Sequence, residues 1–371
     1  MGIKKKGLKL LASLMCLIAI SSGISISAKE YKEEIKTVDI GYNFPVKPGT
    51  ISWNALANTS ERVKACQIPE EILKSLTTEQ LIETVLNYPF LMDIYAYNTH
   101  QEGFDSVLKS FNGMSELLQR NDAATKLLAK YKSMQVLTDS TKITPENSSQ
   151  VYDLSNIEII LHQYEIISKL SNTEKEELQN AINNKHLEKK KHKDIYGTSN
   201  GQAIKTSLEL DSLVTPLTST IVYTPKSTVV YVQINGVVYT PSQILANDNY
   251  VRQTYPGTTL LKSSTREYNC HSYAWYSQNT DTNKYWMDDP MAYMTDGSYI
   301  QKTSAAYGYK IYYPYPGEEH SGIITGIYNG GTSYSDIEVT SKWGGYGLVR
   351  HRANNCPYYV GVMPLRYYSR F

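Results

Sequence analysis

The sequence predicts an α+β protein, with an N-terminal all-α helical domain followed by a domain in which one helix packs on an antiparallel sheet. Two features of the 371-residue chain point there. Apolar residues recur at helical spacing from about residue 55 to 193. After Tyr196 the chain turns to Gly, Ser and Thr, then to short β-branched and tyrosine-rich runs, with a helical pattern at Cys270 preceding most of them.

Residues 1–28 have the layout of a signal peptide. Lys4, Lys5, Lys6 and Lys9 form a basic start, Leu10 to Ile20 an apolar centre, and small polar residues lead to Ala28. The apolar stretch is short for a membrane span and has no second, so a secreted or cell-wall-associated protein without a span after cleavage is expected. Cys16 sits inside the apolar centre behind Met15, which argues against a lipoprotein. Removal of the signal leaves Cys66, Cys270 and Cys356, an odd number. Cys270 is expected to be free. Cys66 and Cys356 could pair, but burial as small hydrophobes is preferred.

A net charge of +1 gives no electrostatic case for nucleic acid or an anionic membrane surface. Length suggests two domains, each with its own core. Tyrosine outnumbers phenylalanine 32 to 5, which suits either a wet, sugar- or peptide-contacting surface or strand packing.

Residues 29–54 form an irregular lead-in broken by Pro45, Pro48 and Gly49. The helical domain occupies 55–195, as a bundle of five or six helices. Thr77-Thr78-Glu79-Gln80 is a capping box before Leu81, Ile82, Val85 and Leu86, and Pro89 closes that segment. Gly113 opens another helix, with Leu117, Leu118, Ala124, Leu127 and Leu128 as its stripe. Ser171 with Glu174 heads a polar helix reaching the basic run Lys189-Lys190-Lys191-His192-Lys193. That run reads as a solvated helix C-terminus rather than a polymer-binding patch. A linker spans 196–217. In the second domain, 218–371, Asn235-Gly236 between two β-rich runs signals a hairpin, and several strands lie between Lys310 and Tyr359.

The chemistry concentrates in two short segments. Asn269 is a good N-cap residue and places Cys270 at a helix start, where backbone N–H groups favour a thiolate and can hold an oxyanion. His320 opens an apolar run between Pro316-Gly317 and Asn329-Gly330-Gly331, so it stands at the mouth of a strand and can act as the base. The next strand should orient the imidazole. Alternation puts Ile337, Val339, Ser341 and Trp343 inward and Glu338, Thr340 and Lys342 outward, which selects Ser341 as the third group over the outward Glu338. Cys270, His271, His351 and Cys356 lack the spacing of a zinc module, so no metal or cofactor is expected. The Asp288-Asp289-Pro290 and Asp296-Gly297 segments read as turns. Trp275, Trp286 and Trp343 suit either a substrate cleft or a core.

On these residues, over roughly 260–360, the chain resembles the papain-like cell-wall cysteine hydrolases, the superfamily of NlpC-type peptidases and CHAP amidohydrolases. Residues 218–360 also resemble a branch of secreted proteins from Gram-positive bacteria. The resemblance rests on Asn269-Cys270-His271-Ser272-Tyr273-Ala274-Trp275, His320-Ser321-Gly322-Ile323-Ile324 and Ser341-Lys342-Trp343-Gly344. It implies a cysteine helix packed on a sheet bearing the histidine, and cleavage of amide bonds in peptidoglycan stem peptides. The chain departs from the usual Asp-Cys-Ser-Gly at the nucleophile and has serine at the third position. The alternative is a non-catalytic surface-binding or adhesion protein that keeps the fold. Acyl transfer in place of hydrolysis also stays open, as do the oligomeric state and the role of the helical domain.

Overall fold

The structure, a computed structural model, describes residues 41–197, 218–317, 319–361 and 363–370. The signal peptide, the start of the lead-in and nearly all of the linker lie outside the described residues.

Short helices follow one another from Ile51–Asn54 to Lys193–Tyr196, more of them and shorter than a simple bundle requires. Local chemistry sets their ends. Thr77 and Ser171 both form the expected reciprocal capping boxes, with Gln80 and Glu174. The stripe opened near Gly113 breaks at Arg120–Asp122 into Asn112–Gln119 and Ala123–Ser133. Because the Thr77 hydroxyl accepts from the Gln80 N–H in the first turn of Thr78–Leu86, while the Gln80 side chain accepts from the Thr77 N–H, Thr77→Ala is expected to cost about 1 kcal/mol, read as a lower urea midpoint with unchanged slope. Lys189 corrects the picture of a wholly solvated basic run. It is buried, paired with Glu158 at 3.1 Å and set over the Tyr196 ring, because Asn172–Lys189 ends against Asp153–Leu161.

Two antiparallel sheets follow. β1 (Thr218–Tyr223) pairs with β2 (Val229–Ile234) alone. The remaining strands are β3 (Thr259–Lys262), β4 (Tyr299–Lys302), β5 (Lys310–Tyr313), β6 (His320–Ile327), β7 (Ile337–Lys342), β8 (Leu348–Arg352) and β9 (Arg366–Arg370). They form one sheet in the order β3-β8-β7-β6-β5-β9-β4. The molecule therefore combines helices with antiparallel sheet, as the composition shift predicts.

The hairpin turn is not at Asn235-Gly236 as expected. It lies at Thr224–Thr228, where the Thr224 hydroxyl accepts from the N–H groups of Lys226 and Thr228 and Ser227 takes a positive φ. Residues 235–239 instead lead into the helix Pro241–Thr254, whose own capping box is Thr240 with Gln243.

The halves do not keep separate cores. One hydrophobic cluster runs from Tyr42 to Leu365, and a chain of rings, Trp53–Phe90–Tyr255–Trp343, carries it from the helices to β7 and its exit. The helices and Pro241–Thr254 thus cover one face of the sheet. A smaller cluster holding Trp275, Met287, Tyr293, Tyr312 and Val230 covers the other, beneath the Cys270 turn and the β1–β2 hairpin. Both faces are occupied. That sandwich decides where each candidate site residue points.

Candidate active site

Cys270 begins a helical turn, as its Asn269 neighbour implies. The Asn269 side-chain oxygen accepts from the N–H groups of Ser272 and Met287, each at 3.1 Å. Its amide donates to the Met287 carbonyl at 2.8 Å and to Asn98 Oδ1 at 3.0 Å. The cap thus ties the cysteine turn both to the 285–287 segment and to the helical half. Ser272–Tyr276 is a single π-type turn, closed by Ser277 N–H donating to the Ser272 carbonyl. Such wide turns are rare and are frequently found at functional sites.

The sulfur is enclosed. Cys270 is 3% exposed, and burial pushes its thiol up to about 12. The backbone N–H groups of Ser321 and His271, and then Lys342, pull the other way. Cys66 and Cys356 are also free and buried, and burial drives both thiols up to about 12.

His320 opens β6, where its flanking turn residues put it, and is fully buried. Its ring stacks on Tyr358 at 3.7 Å and meets Tyr313 edge-on at 5.2 Å. Neither ring nitrogen has a hydrogen-bond partner among the described residues. Burial, then the neighbouring His351 and His271, hold the imidazole well below its ordinary range, so it is neutral.

Strand alternation separates the expected partners. Ser321, the next residue, takes hydrogen bonds at 2.8 Å with His271 Nδ1 and Trp275 Nε1, so its face of the sheet carries the cysteine turn. His320 points to the other face, with Tyr313 and Gly322. A Cβ on Gly322 would strike Val339 and Ser341, which marks that face as the one holding Ser341. The structure therefore sets Cys270 beside the Ser321 backbone, one residue from His320, without a Cys270–His320 hydrogen bond.

Ser341 is buried, on the inward face as expected, but its hydroxyl meets His351 Nε2 at 2.8 Å and accepts from Trp343 Nε1 at 3.0 Å. His320 is not its partner. Glu338 faces away, beside Tyr328. Lys342 corrects the expectation of an outward side chain, because the cysteine turn covers that face too: it is fully buried.

Sequence reasoning gave Ser321 and Tyr358 no role, weighed His271 only as a zinc ligand and placed Lys342 outward. Ser321 and His271 stood next to the chosen residues, whereas Tyr358 and Lys342 carry no local signal. Trp275, Trp286 and Trp343 are all core residues. The aspartates at 289 and 296 cap turns, accepting from Met291 and Ser298 N–H. Among the described residues no three His, Cys, Asp or Glu side chains gather as metal ligands. No family model matches the chain, and no curated protein or solved structure matches it at a significant level.

Proposed function

We propose that the protein is an exported cysteine hydrolase of papain-like architecture that cleaves amide bonds in peptidoglycan stem peptides through an acyl-enzyme on Cys270. One observation carries this reading. A capped cysteine lies against the start of a strand whose first residue is a buried imidazole with two unused nitrogens. A buried polar ring left without partners calls for an explanation, and a proton-accepting role beside a thiol supplies one. The substrate class comes from the resemblance of the Cys270 and His320 segments to the cell-wall hydrolases, and export from the basic-apolar start of the chain.

In the proposed cycle the Cys270 sulfur attacks the amide carbonyl carbon and its proton passes to the base. The N–H groups of Ser321 and His271 lie around the sulfur and serve the oxyanion. The leaving amine takes the proton, and water then cleaves the thioester. In the structure His320 stacks on Tyr358 and faces away from the cysteine turn, so its service as base requires the start of β6 to rearrange.

A second reading, a non-catalytic surface protein, is favoured by the same enclosure: a sulfur 3% exposed, with its thiol pushed up to about 12, is a poor nucleophile as it stands.

Incubation of the full chain with purified peptidoglycan, followed by mass spectrometry of the soluble products, separates the two. Stem-peptide fragments with a new carboxylate are expected, and Cys270→Ala should abolish them. An added amine appearing on the products would mark acyl transfer. Absence of fragments from the unaltered chain, or their release by Cys270→Ala, rejects the hydrolase.

A further inference from the structure

We infer that a cavity between the helical half and the end of the sheet binds a free amphipathic carboxylic acid, with its apolar body inward and its carboxylate at two lysines on the rim. Cys270 and His320 are not among the residues lining it, so it does not depend on the proposed hydrolase.

The halves share one core, but they part where the helices Thr59–Ala65 and His100–Ser110 pass the segments after β5 and β8. The cavity left there measures about 590 Å³, within the usual range for small-molecule sites. Helical spacing builds two of its walls. Ser60, Val63 and Lys64 come from one face of the first helix, and Ser106, Val107 and Ser110 from one face of the second. Tyr315, Pro357 and Met363 close it from the sheet half.

The inner lining is apolar. Phe90, Val107 and Tyr315 are all buried in the fold yet border the cavity. An apolar body set against them leaves water on both sides of the contact.

The charges are divided by depth. Lys64 and Lys109 line the cavity from the last turns of their helices, and both are exposed, so they stand at its mouth. Lys64 enters none of the ion pairs among the described residues. The carboxylate in the lining is that of buried Asp93, which is already held by the Tyr250 and Tyr255 hydroxyls. A ligand cation therefore meets two ammonium groups at the entrance and a committed acid inside. A ligand anion meets two flexible point charges that can close on one carboxylate. Apolar depth behind a cationic mouth selects a molecule with one apolar chain or ring body and one anionic end.

The test is carbon-13 methyl-methionine NMR of the full chain titrated with dodecanoate below its micelle concentration, the Met363 signal being assigned with Met363→Leu. Saturable movement of that signal is expected. Dodecyltrimethylammonium should bind the unaltered chain roughly tenfold more weakly or worse, and Lys64→Glu combined with Lys109→Glu should weaken dodecanoate by about tenfold. Both lysines are exposed, so the double variant is expected to fold; should it not, Lys64→Glu alone decides, with a loss of about threefold. A Met363 signal that dodecanoate leaves unmoved overturns the site. Equal binding of the cationic detergent, or undiminished dodecanoate binding in the folded lysine variant, overturns the carboxylic acid as its ligand.

Discussion

Gly344→Ala is expected to destabilise the protein by about 3 kcal/mol or more. Gly344 has a φ of +44°, and a Cβ there would lie 2.1 Å from the carbonyl oxygen of Ala96. The left-handed backbone alone costs a non-glycine residue about 1 kcal/mol. The rest comes from collision with backbone, which cannot rotate aside as a side chain can. This contact joins the end of β7 to the 91–96 segment of the helical half, a seam also held by Gly345 N–H donating to the Tyr95 carbonyl at 3.0 Å and by the Tyr346 and Tyr358 hydroxyls donating to Met92 and Ala96 carbonyls. Gly257 is the matched control, since its φ is +78° and its Cβ would meet nothing within 4 Å. Gly257→Ala should show the conformational cost alone. Urea unfolding of both variants measures the difference, and a Gly344→Ala midpoint no lower than that of Gly257→Ala would remove the clash. The Gly344 carbonyl also accepts from Lys342, so opening this seam should loosen the cysteine site with it.

Signals confined to a few residues were legible in the sequence. The capping boxes at Thr77 and Ser171 need only their own helix, and both form. The Asn269 cap and the Pro-Gly and Asn-Gly-Gly punctuation around β6 placed Cys270 at a helix start and His320 at a strand start for the same reason. The box at Thr240 and Gln243, with Pro241 at the first helical position, was equally local but heads a helix rich in Asn, Gln and Asp, where no apolar stripe draws attention. At Asn235-Gly236 a good turn dipeptide lost to Thr224, whose hydroxyl closes a competing turn.

Which face of a strand is covered was not legible. Alternation along β7 distinguishes Ser341 from Lys342, yet it assumes one wet face, and here both are packed. The same assumption let His320 be aimed at Cys270, although neighbouring residues on a strand point opposite ways. The shared core was hidden as well, because it depends on Trp53, Phe90, Tyr255 and Trp343 meeting across 290 residues of chain (343 − 53).

Asp93 should make the stability of the protein fall as pH rises from about 4 to 7. Its carboxylate is buried in the same seam and accepts hydrogen bonds from the Tyr250 and Tyr255 hydroxyls at 2.8 and 2.6–2.7 Å, with no cation paired to it among the described residues. Burial raises it from an ordinary 3.8 to about 7, against the opposing pull of the two tyrosines. Tyr88, Tyr250, Tyr255, Tyr346, Tyr358 and Cys356 surround it, and burial pushes every one of them upward, so none changes charge in this interval. Below pH 4 both folded and unfolded chains hold the proton, and the group adds no pH dependence. Between 4 and 7 the unfolded chain releases it while the folded chain keeps it. The folded state then binds more protons, so its stability declines with rising pH and levels off above 7. At about 1.4 kcal/mol for each tenfold change in proton affinity, the loss is on the order of 4 kcal/mol. Asp93→Asn cannot ionise and should remove this slope. Urea unfolding at pH 4, 5, 6 and 7 should therefore show the advantage of the native chain over Asp93→Asn shrinking steadily with pH. Two parallel profiles would mean that Asp93 is already ionised in the folded protein, and that the tyrosine pair outweighs burial.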